Sequence, residues 1–234
     1  MQIVVPVKPF NMAKSRLTPI LSAARRAQLA EALLLGVLGA TAGVRGVSGI
    51  VVVSRDRPGC LDQTPCTVEW LQEQPGRGSM NSALSQASHQ LYRKGVRKIL
   101  ILPSDLPCLK HADVQALVDA AMSMTTSLPH ALIVPDKHLR GTNALAVGLP
   151  LPFPLAFGSD SLNRHQAVAR QSGCHVHIMH NKSVASDLDD PQDLNWLRCL
   201  PAWSFSTPLL AALLKSRSWQ QSCPLEYDRP GLLA

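Results

Sequence analysis

The chain has 234 residues, six scattered cysteines and a formal net charge of +7. This length suffices for one large domain with a full core, and no apolar run is long enough to cross a membrane. The cysteines contain no Cys-x-x-Cys pair, which argues against a disulfide frame or a zinc site. The positive charge favours anionic partners such as nucleotides, whereas an aromatic content of 4% disfavours a stacking platform for single-stranded nucleic acid.

The N-terminal residues already have the pattern of a strand, without the basic, apolar and small-residue zones of a signal peptide. We therefore expect a cytoplasmic protein. Because the chain has no long apolar run and few aromatic residues, we expect neither a membrane nor nucleic acid among its partners. Strands are predicted at residues 2–7, 49–53, 67–71 and 131–136, with a central strand beginning at Lys98. Helices are predicted at residues 21–42, from 79 to about 94, and at 111–124. This alternation predicts βαβ units and a mostly parallel sheet.

The second part of the chain has a looser pattern. A loop enters a strand at residues 140–147, a helix is predicted at 161–172 and an exposed strand at 175–179. Asp190-Pro191 has the signature of a helix start, with Asp190 as N-cap. We assign residues 1–200 to one domain and residues 201–234 to a C-terminal arm that contains a possible helix at 209–218.

Apolar residues in the arm lie outside the main pattern and need a cover; they are Trp203, Phe205, Leu209 and Leu210. We expect the arm to pack against a partner subunit, and the protein to be a homodimer.

Asp105 follows the central strand directly and lies between two prolines. Ligands of open α/β sheets gather beyond the carboxyl ends of the strands, so a carboxylate there is well placed to hold a metal ion. The alternative is a turn aspartate that caps the next backbone turn.

A second acidic group occurs at Asp187-Leu-Asp-Asp190. Asp187 and Asp189 point the same way if the chain is extended. Mg²⁺ prefers carboxylate oxygens, so Asp105, Asp187 and Asp189 form a metal site if the fold brings them together. The alternative for this group is a solvated turn and helix cap, a role that we assign to Asp190.

A basic loop follows the first strand and contains Lys8, Lys14 and Arg16. Such a loop can bind a triphosphate and neutralise departing pyrophosphate; the alternative is a solvated loop. The chain has neither a G-x-x-x-x-G-K-[ST] motif nor a strand-linked G-x-G-x-x-G motif, so neither a P-loop nor dinucleotide binding is indicated.

Six short motifs occur in order and carry a resemblance to a known family. They are Val5-Pro-Val-Lys-Pro-Phe with Ala13-Lys-Ser-Arg-Leu17, Leu102-Pro-Ser-Asp-Leu-Pro107, Val134-Pro-Asp136, Gly141-Thr-Asn-Ala-Leu145, Phe157-Gly-Ser with Ser161-Leu-Asn-Arg-His165, and Asp187-Leu-Asp-Asp-Pro-Gln-Asp-Leu194. Together they resemble the guanylyltransferases that make the precursor of the deazaflavin coenzyme F-420. The resemblance covers residues 1 to about 197.

The resemblance implies a Rossmann-like, three-layer α/β domain of the nucleotide-diphospho-sugar transferase type, with a mixed, mostly parallel sheet. It implies transfer of GMP from GTP to the phosphate of 2-phospho-L-lactate, phosphoenolpyruvate or 3-phospho-D-glycerate, with release of pyrophosphate. Because the acceptor phosphate is already an anionic nucleophile, catalysis needs alignment and charge neutralisation rather than a strong base.

Site residues follow from the same resemblance together with the residue patterns already described. Mg²⁺ would be held by Asp105, Asp187 and Asp189, and catalysis is assigned to Asp105, Lys14 and Arg16. GTP would be bound by Lys8, Lys14, Arg16, Asn81 and Ser104. The acceptor would be bound by Thr142, Asn143, Gly158, Ser161 and His165. The alternative for His165 is that it only stabilises the loop, and the alternative for Asn81 is an ordinary surface residue. The chain departs from the family at Ser79-Met-Asn81, where the family has Gly-Leu-Asn.

Two other functions remain open at this point. Nucleotidyltransferases for molybdopterin or sugar phosphates carry a pattern like L-x-G-G-x-S/G-x-R after the first strand, which Val5-Pro-Val-Lys-Pro-Phe lacks. A basic nucleic-acid-binding module would bind DNA or RNA with a steep salt dependence, and three aspartates meeting in one pocket would argue against it.

Overall fold

The structure is a computed structural model that describes residues 1–74, 79–124, 128–216 and 219. Its strands are β1 (Gln2–Pro6), β2 (Gly49–Ser54), β3 (Val68–Gln72), β4 (Lys98–Ile101), β5 (His130–Pro135), β6 (Thr142–Gly148) and β7 (His175–Ile178). Its α-helices are α1 (Ala23–Thr41), α2 (Met80–Arg93), α3 (His111–Ser123), α4 (Ser161–Gln171), α5 (Lys182–Ala185), α6 (Pro191–Cys199) and α7 (Pro208–Lys215). Short 3-10 helices lie at Ser15–Leu17, Gly59–Gln63 and Ala202–Ser204.

The strands form one sheet in the order β3-β2-β1-β4-β6-β5-β7. β6 runs antiparallel to its neighbours β4 and β5, and the other pairs are parallel. Side chains along a strand alternate between the two faces: Ile3 and Val5 join one buried cluster with residues of α1 and α3, and Val4 joins another with residues of α2 and α4. The predicted three-layer α/β fold with a mixed, mostly parallel sheet is confirmed.

The strand order reverses between β1 and β4. The chain proceeds from β1 to β2 and β3 on one side, and then returns to place β4 on the other side of β1. The loops after β1 and β4 therefore leave the same edge of the sheet side by side, where open α/β sheets bind their ligands.

Several element boundaries differ from those predicted. α1 begins two residues later than expected because the Ser22 hydroxyl caps it by accepting a hydrogen bond from the Arg25 amide at 3.3 Å. The loop that was predicted to enter a strand within residues 140–147 does so at Thr142, after the Asp136 side chain accepts a hydrogen bond from the Arg140 amide and closes a turn. α5 was not predicted; its four residues are too few for a helical hydrophobic period.

The C-terminal arm packs against its own chain as far as the structure describes it. Phe205 and Leu210 are buried with Leu33 of α1 and Leu197 of α6. A Cβ on Gly36 of α1 would lie 2.1 Å from the Ser206 hydroxyl oxygen, so α1 has a glycine where the arm crosses it. The prediction that a partner must cover the arm's apolar residues is therefore wrong for Phe205 and Leu210.

Trp203 and Leu209 do lie on the surface of the subunit, 80% and 53% exposed. The homodimer stays a prediction. Residues 217, 218 and 220–234 of the predicted arm, with the end of its possible helix, fall outside the described part of the chain. In the described ranges, none of the helices has the length and apolar character that a membrane span requires.

Candidate active site

A single backbone hydrogen bond brings the two acidic segments together. The Leu188 amide donates to the Asp105 carbonyl oxygen at 3.1 Å, across the loop that follows β4. The Leu188 side chain is buried in the cluster under the arm, so its neighbours Asp187 and Asp189 point the other way, beside Asp105. This contact joins residues more than eighty positions apart in the sequence.

The surroundings of Asp187 change the pKa of its carboxyl group. Burial, followed by the nearby charges of Asp105 and Asp189, raises its pKa to about 6 from an ordinary value of 3.8. The Asn143 amide partly offsets this by donating to Asp187 at 3.1 Å, and it also donates to the Val184 carbonyl at 2.9 Å. Asn143, predicted as an acceptor ligand, thus orients one of the proposed metal ligands.

Lys14 lies between the acidic segments. Its ammonium donates to Asp105 at 2.6 Å and to the Leu188 carbonyl, and it lies 3.9 Å from Asp189. The Lys14 side chain is only 7% exposed, and its backbone has φ 54°, a left-handed conformation that costs a non-glycine residue about 1–2 kcal/mol. Such strain persists where the surroundings hold it in place, and here the ammonium contacts provide that hold.

The donor set suits a hard divalent cation, because three carboxylates converge on one side of the sheet edge. In the described ranges, however, no three Asp, Glu, His or Cys side chains are spaced to hold a metal ion directly. The Lys14 ammonium, 2.6 Å from Asp105 and 3.9 Å from Asp189, already balances the charge between these two carboxylates.

The predicted GTP-binding residues Arg16, Lys8 and Ser104 differ from Lys14 in their exposure to solvent. Arg16 is 73% exposed and donates to Asp189 at 3.1 Å. Lys8 is exposed, and Ser104, immediately before Asp105, is half-buried. The basic loop therefore divides into a buried cation at the acids and two cations open to an incoming anion.

A further ion pair, missed by the sequence analysis, holds the backbone of the acidic segment. Asp193 accepts hydrogen bonds from the amides of Asp189 and Asp190 at 2.8 and 3.1 Å, and pairs with Lys137. Burial raises the pKa of Asp193, but these hydrogen bonds and Lys137 outweigh it and hold the pKa below its ordinary value. Asp190 caps α6 as predicted. The only sequence signal for Lys137 was its position directly after Val134-Pro-Asp136.

Three of the predicted acceptor residues form a buried network. The Ser161 hydroxyl accepts from the Thr142 amide at 2.8 Å, and the Thr142 hydroxyl lies 3.0 Å from His165 Nδ1. His165 Nε2 accepts from the Ala156 amide at 3.0 Å, which places the ring proton on Nδ1. Burial, followed by the charge of Arg164, lowers the pKa of His165 to about 4. These side chains therefore fix the start of β6, the start of α4 and the segment between them.

The segment before α4 is open to solvent at its end. Gly158 is exposed and has φ +119°, a conformation that favours glycine. Asn81, at the start of α2, contacts Phe157, the residue before Gly158. The Asn81 Oδ1 accepts from the Phe157 amide at 2.8 Å, and the Asn81 Nδ2 donates to the Phe157 carbonyl at 3.0 Å. Gly158 and the residues that lead into α4 therefore lie within reach of the first turn of α2.

The chain matches the family described as guanylyl transferase CofC like over residues 1–199. The chain belongs to this guanylyltransferase family. It is 37% identical over 197 residues to a phosphoenolpyruvate guanylyltransferase from Chloroflexus aggregans, covering 82% of this chain and 94% of the relative. A 2-phospho-L-lactate guanylyltransferase from Methanothermobacter thermautotrophicus is 32% identical over 191 residues, covering 82% of this chain and 81% of the relative.

Solved structures show the same fold for the CofC-like chain. A nucleotide-diphospho-sugar transferase from Desulfovibrio desulfuricans superposes with a TM-score of 0.63 and 17% identity, covering 94% of this chain and 99% of that one. A 4-diphosphocytidyl-2C-methyl-D-erythritol synthase superposes with a TM-score of 0.54 and 15% identity, covering 84% and 97%. The predicted transferase type of the fold is confirmed.

Asp187→Asn is expected to stabilise the folded state at pH 8 in the absence of divalent metal. Since the folded pKa of about 6 lies above the ordinary 3.8, folding favours the protonated carboxyl, and stability falls as pH rises from about 4 to about 6. Asparagine removes that cost, so the free energy of unfolding should rise by roughly 2–3 kcal/mol at pH 8 and by less at pH 4.5. Urea unfolding at both pH values measures the difference, and an equal change at the two would contradict the assignment.

Proposed function

We propose that this protein transfers GMP from GTP to the phosphate of a three-carbon phospho-acid and releases pyrophosphate, as a step in the biosynthesis of coenzyme F-420. The acceptor would be phosphoenolpyruvate, 2-phospho-L-lactate or 3-phospho-D-glycerate. One observation carries the proposal: Lys14, Asp105, Asp187 and Asp189 meet where the strand order reverses, in a chain of the CofC-like family.

In the reaction, an oxygen of the acceptor phosphate attacks the α-phosphorus of GTP. The bond from that phosphorus to the oxygen bridging it to the β-phosphate breaks, and pyrophosphate leaves with the bonding electrons. Lys8, Lys14 and Arg16 would neutralise the charge on the triphosphate and on the leaving group. The anionic acceptor needs no proton removed before it attacks, so the residues align and neutralise rather than act as a base.

Asp105, Asp187 and Asp189 would hold a divalent cation, and we propose Mg²⁺. When bound, the ion would supply further positive charge at the phosphates. Asn143 orients Asp187, and the pair of Lys137 with Asp193 holds the backbone of Asp189. These contacts preset the carboxylates before any ligand arrives.

The acceptor would lie by Gly158 and the first turn of α4, where backbone N–H groups suit a carboxylate or phosphate. Thr142, Asn143, Ser161 and His165 were assigned contacts to it, and those contacts stay predictions. Their hydrogen bonds support a second task, which is to hold the segment around Gly158 in place. On the nucleotide side, the contact to GTP from Ser104 also stays a prediction, whereas the hydrogen bonds of Asn81 to Phe157 favour a role other than the predicted GTP contact.

Arg16→Ala is expected to raise the KM for GTP several-fold and leave the KM for the acceptor nearly unchanged. Arg16 is largely exposed, so losing its ion pair with Asp189 should change stability by about 0–1 kcal/mol. Lys94→Ala is a matched control, because Lys94 is a half-exposed cation paired with Glu69 near the start of β3, away from the strand ends that carry the site. Unchanged GTP kinetics in Arg16→Ala would contradict a contact with GTP and favour the alternative of a solvated loop.

The proposed reaction is tested by pyrophosphate release from GTP and Mg²⁺ with each of the three acids in turn. Pyrophosphate should appear only when both substrates are present, and ATP or CTP should replace GTP poorly. If none of the three acids supports release above the rate with GTP alone, the proposal fails.

A further inference from the structure

The Asn81 side chain makes two hydrogen bonds with the backbone of one distant residue, Phe157. Its Oδ1 accepts from the Phe157 amide at 2.8 Å and its Nδ2 donates to the Phe157 carbonyl at 3.0 Å. Seventy-six positions separate the two residues. One side chain thus satisfies both backbone groups of Phe157, as a neighbouring strand would in a sheet.

Ala156, the residue before Phe157, is held by a side chain of α4. The Ala156 amide donates to His165 Nε2 at 3.0 Å, and the His165 ring lies edge-on to the Phe157 ring with 4.7 Å between centroids. His165 is fully buried, and its lowered pKa keeps Nε2 free of a proton and able to accept. Two consecutive residues are therefore fixed by side chains from α4 and α2, and the next residue is the exposed Gly158.

We infer that Asn81 is a positioning residue for the acceptor side of the site, which it holds by fixing the backbone at Phe157. This inference rests on the proposed function for the location of the acceptor at Gly158 and α4. It differs from a role as a guanine contact, because a positioning role predicts a defect in acceptor use rather than in GTP use. It also explains how the first turn of α2 and the segment before α4 keep a fixed separation.

Asn81→Ala tests the inference by hydrogen exchange and by kinetics. The Phe157 amide loses its acceptor, so its exchange should become about tenfold faster or more. The KM for the acceptor should rise by about tenfold with a KM for GTP within about twofold of the wild-type value. Binding of GTP alone, followed by calorimetry, should also be nearly unchanged.

Gln86→Ala is the matched control on the same helix. The Gln86 side chain accepts from the Gln74 amide at 3.0 Å and donates to the Gln72 carbonyl at 3.0 Å, so it makes the same kind of contact to a different segment. Its loss should leave both the Phe157 exchange and the acceptor KM unchanged. Asn81→Asp is a second variant, which keeps an acceptor for the Phe157 amide but loses the donor to the Phe157 carbonyl. In this variant the exchange rate of the Phe157 amide should lie between the rates in wild type and in Asn81→Ala.

The outcomes separate this inference from the proposed function. Unchanged exchange at Phe157 in Asn81→Ala would overturn the inference, and so would a rise in the KM for GTP with normal acceptor use. If the wild-type protein turns over none of the three acids, the proposed function fails, while exchange at Phe157 still decides whether Asn81 fixes this segment.

Discussion

Asp105→Asn is expected to reduce kcat by at least about 100-fold while the protein stays folded. Asparagine has nearly the same shape and keeps an oxygen that can accept from Lys14, so the loop after β4 should keep its course. What is lost is the negative charge at the point where Lys14 and the 187–189 segment meet. Steady-state kinetics over a range of Mg²⁺ concentrations, together with thermal unfolding, measures both parts of the expectation.

Asp190→Asn is the control for that variant. Asp190 caps α6 by accepting hydrogen bonds from the amides of Gln192 and Asp193 at 2.8 and 3.0 Å, and asparagine caps helices about as well. Its turnover should stay close to the wild-type value, whereas Asp187→Asn and Asp189→Asn should resemble Asp105→Asn. Wild-type turnover in Asp105→Asn would contradict the catalytic role of the Asp105 carboxylate.

Lys14→Met should impair both stability and catalysis. Methionine keeps an unbranched apolar stem but lacks the ammonium that joins Asp105 to the Leu188 carbonyl. Asp105 is then left without its cation, and the free energy of unfolding at pH 7 should fall by about 2 kcal/mol, a value discounted for the partial exposure of Asp105. GTP use should fall more than acceptor use, because the cation lost is one assigned to the triphosphate.

A double-mutant cycle separates the pair from nonspecific damage. If Lys14 acts through Asp105, the variant with both Lys14→Met and Asp105→Asn should be clearly more stable than the sum of the single changes predicts. Additive losses in urea unfolding would show instead that Lys14 stabilises the loop by packing alone.

The positions of the strand ends were predictable from the sequence because the signals are local. The apolar run before Pro103 and the alternation of strands and helices placed Asp105 at the carboxyl end of a central strand, where the structure has it after β4. The spacing of Asp187 and Asp189 likewise implied that they share a side. Their meeting with Asp105 depended on the fold, and only the resemblance pointed to it.

The contacts that organise the site are long-range, and no local pattern encodes them. The bond from the Leu188 amide to Asp105 and the pair of Asn81 with Phe157 each join residues more than seventy positions apart. Lys14 was predicted as a ligand of the triphosphate, with a solvated loop as the alternative, and it lies buried beside Asp105. The arm was predicted to need a partner because its apolar residues had no visible counterpart in the sequence; α1 and α6 provide one for Phe205 and Leu210.

The most direct test of the proposed reaction follows the guanylyl group itself. GTP labelled at the α-phosphate should be incubated with the full-length protein, Mg²⁺ and each of the three phospho-acids, and the products separated and weighed by mass spectrometry. The label should appear in a compound with the combined mass of GMP and the acid less one water, and should resist phosphatase because both phosphates are internal. The Asp105→Asn protein should form almost none of this compound. Label that remains in GTP, or appears only in GDP or GMP with every acid, would contradict guanylyl transfer by this protein.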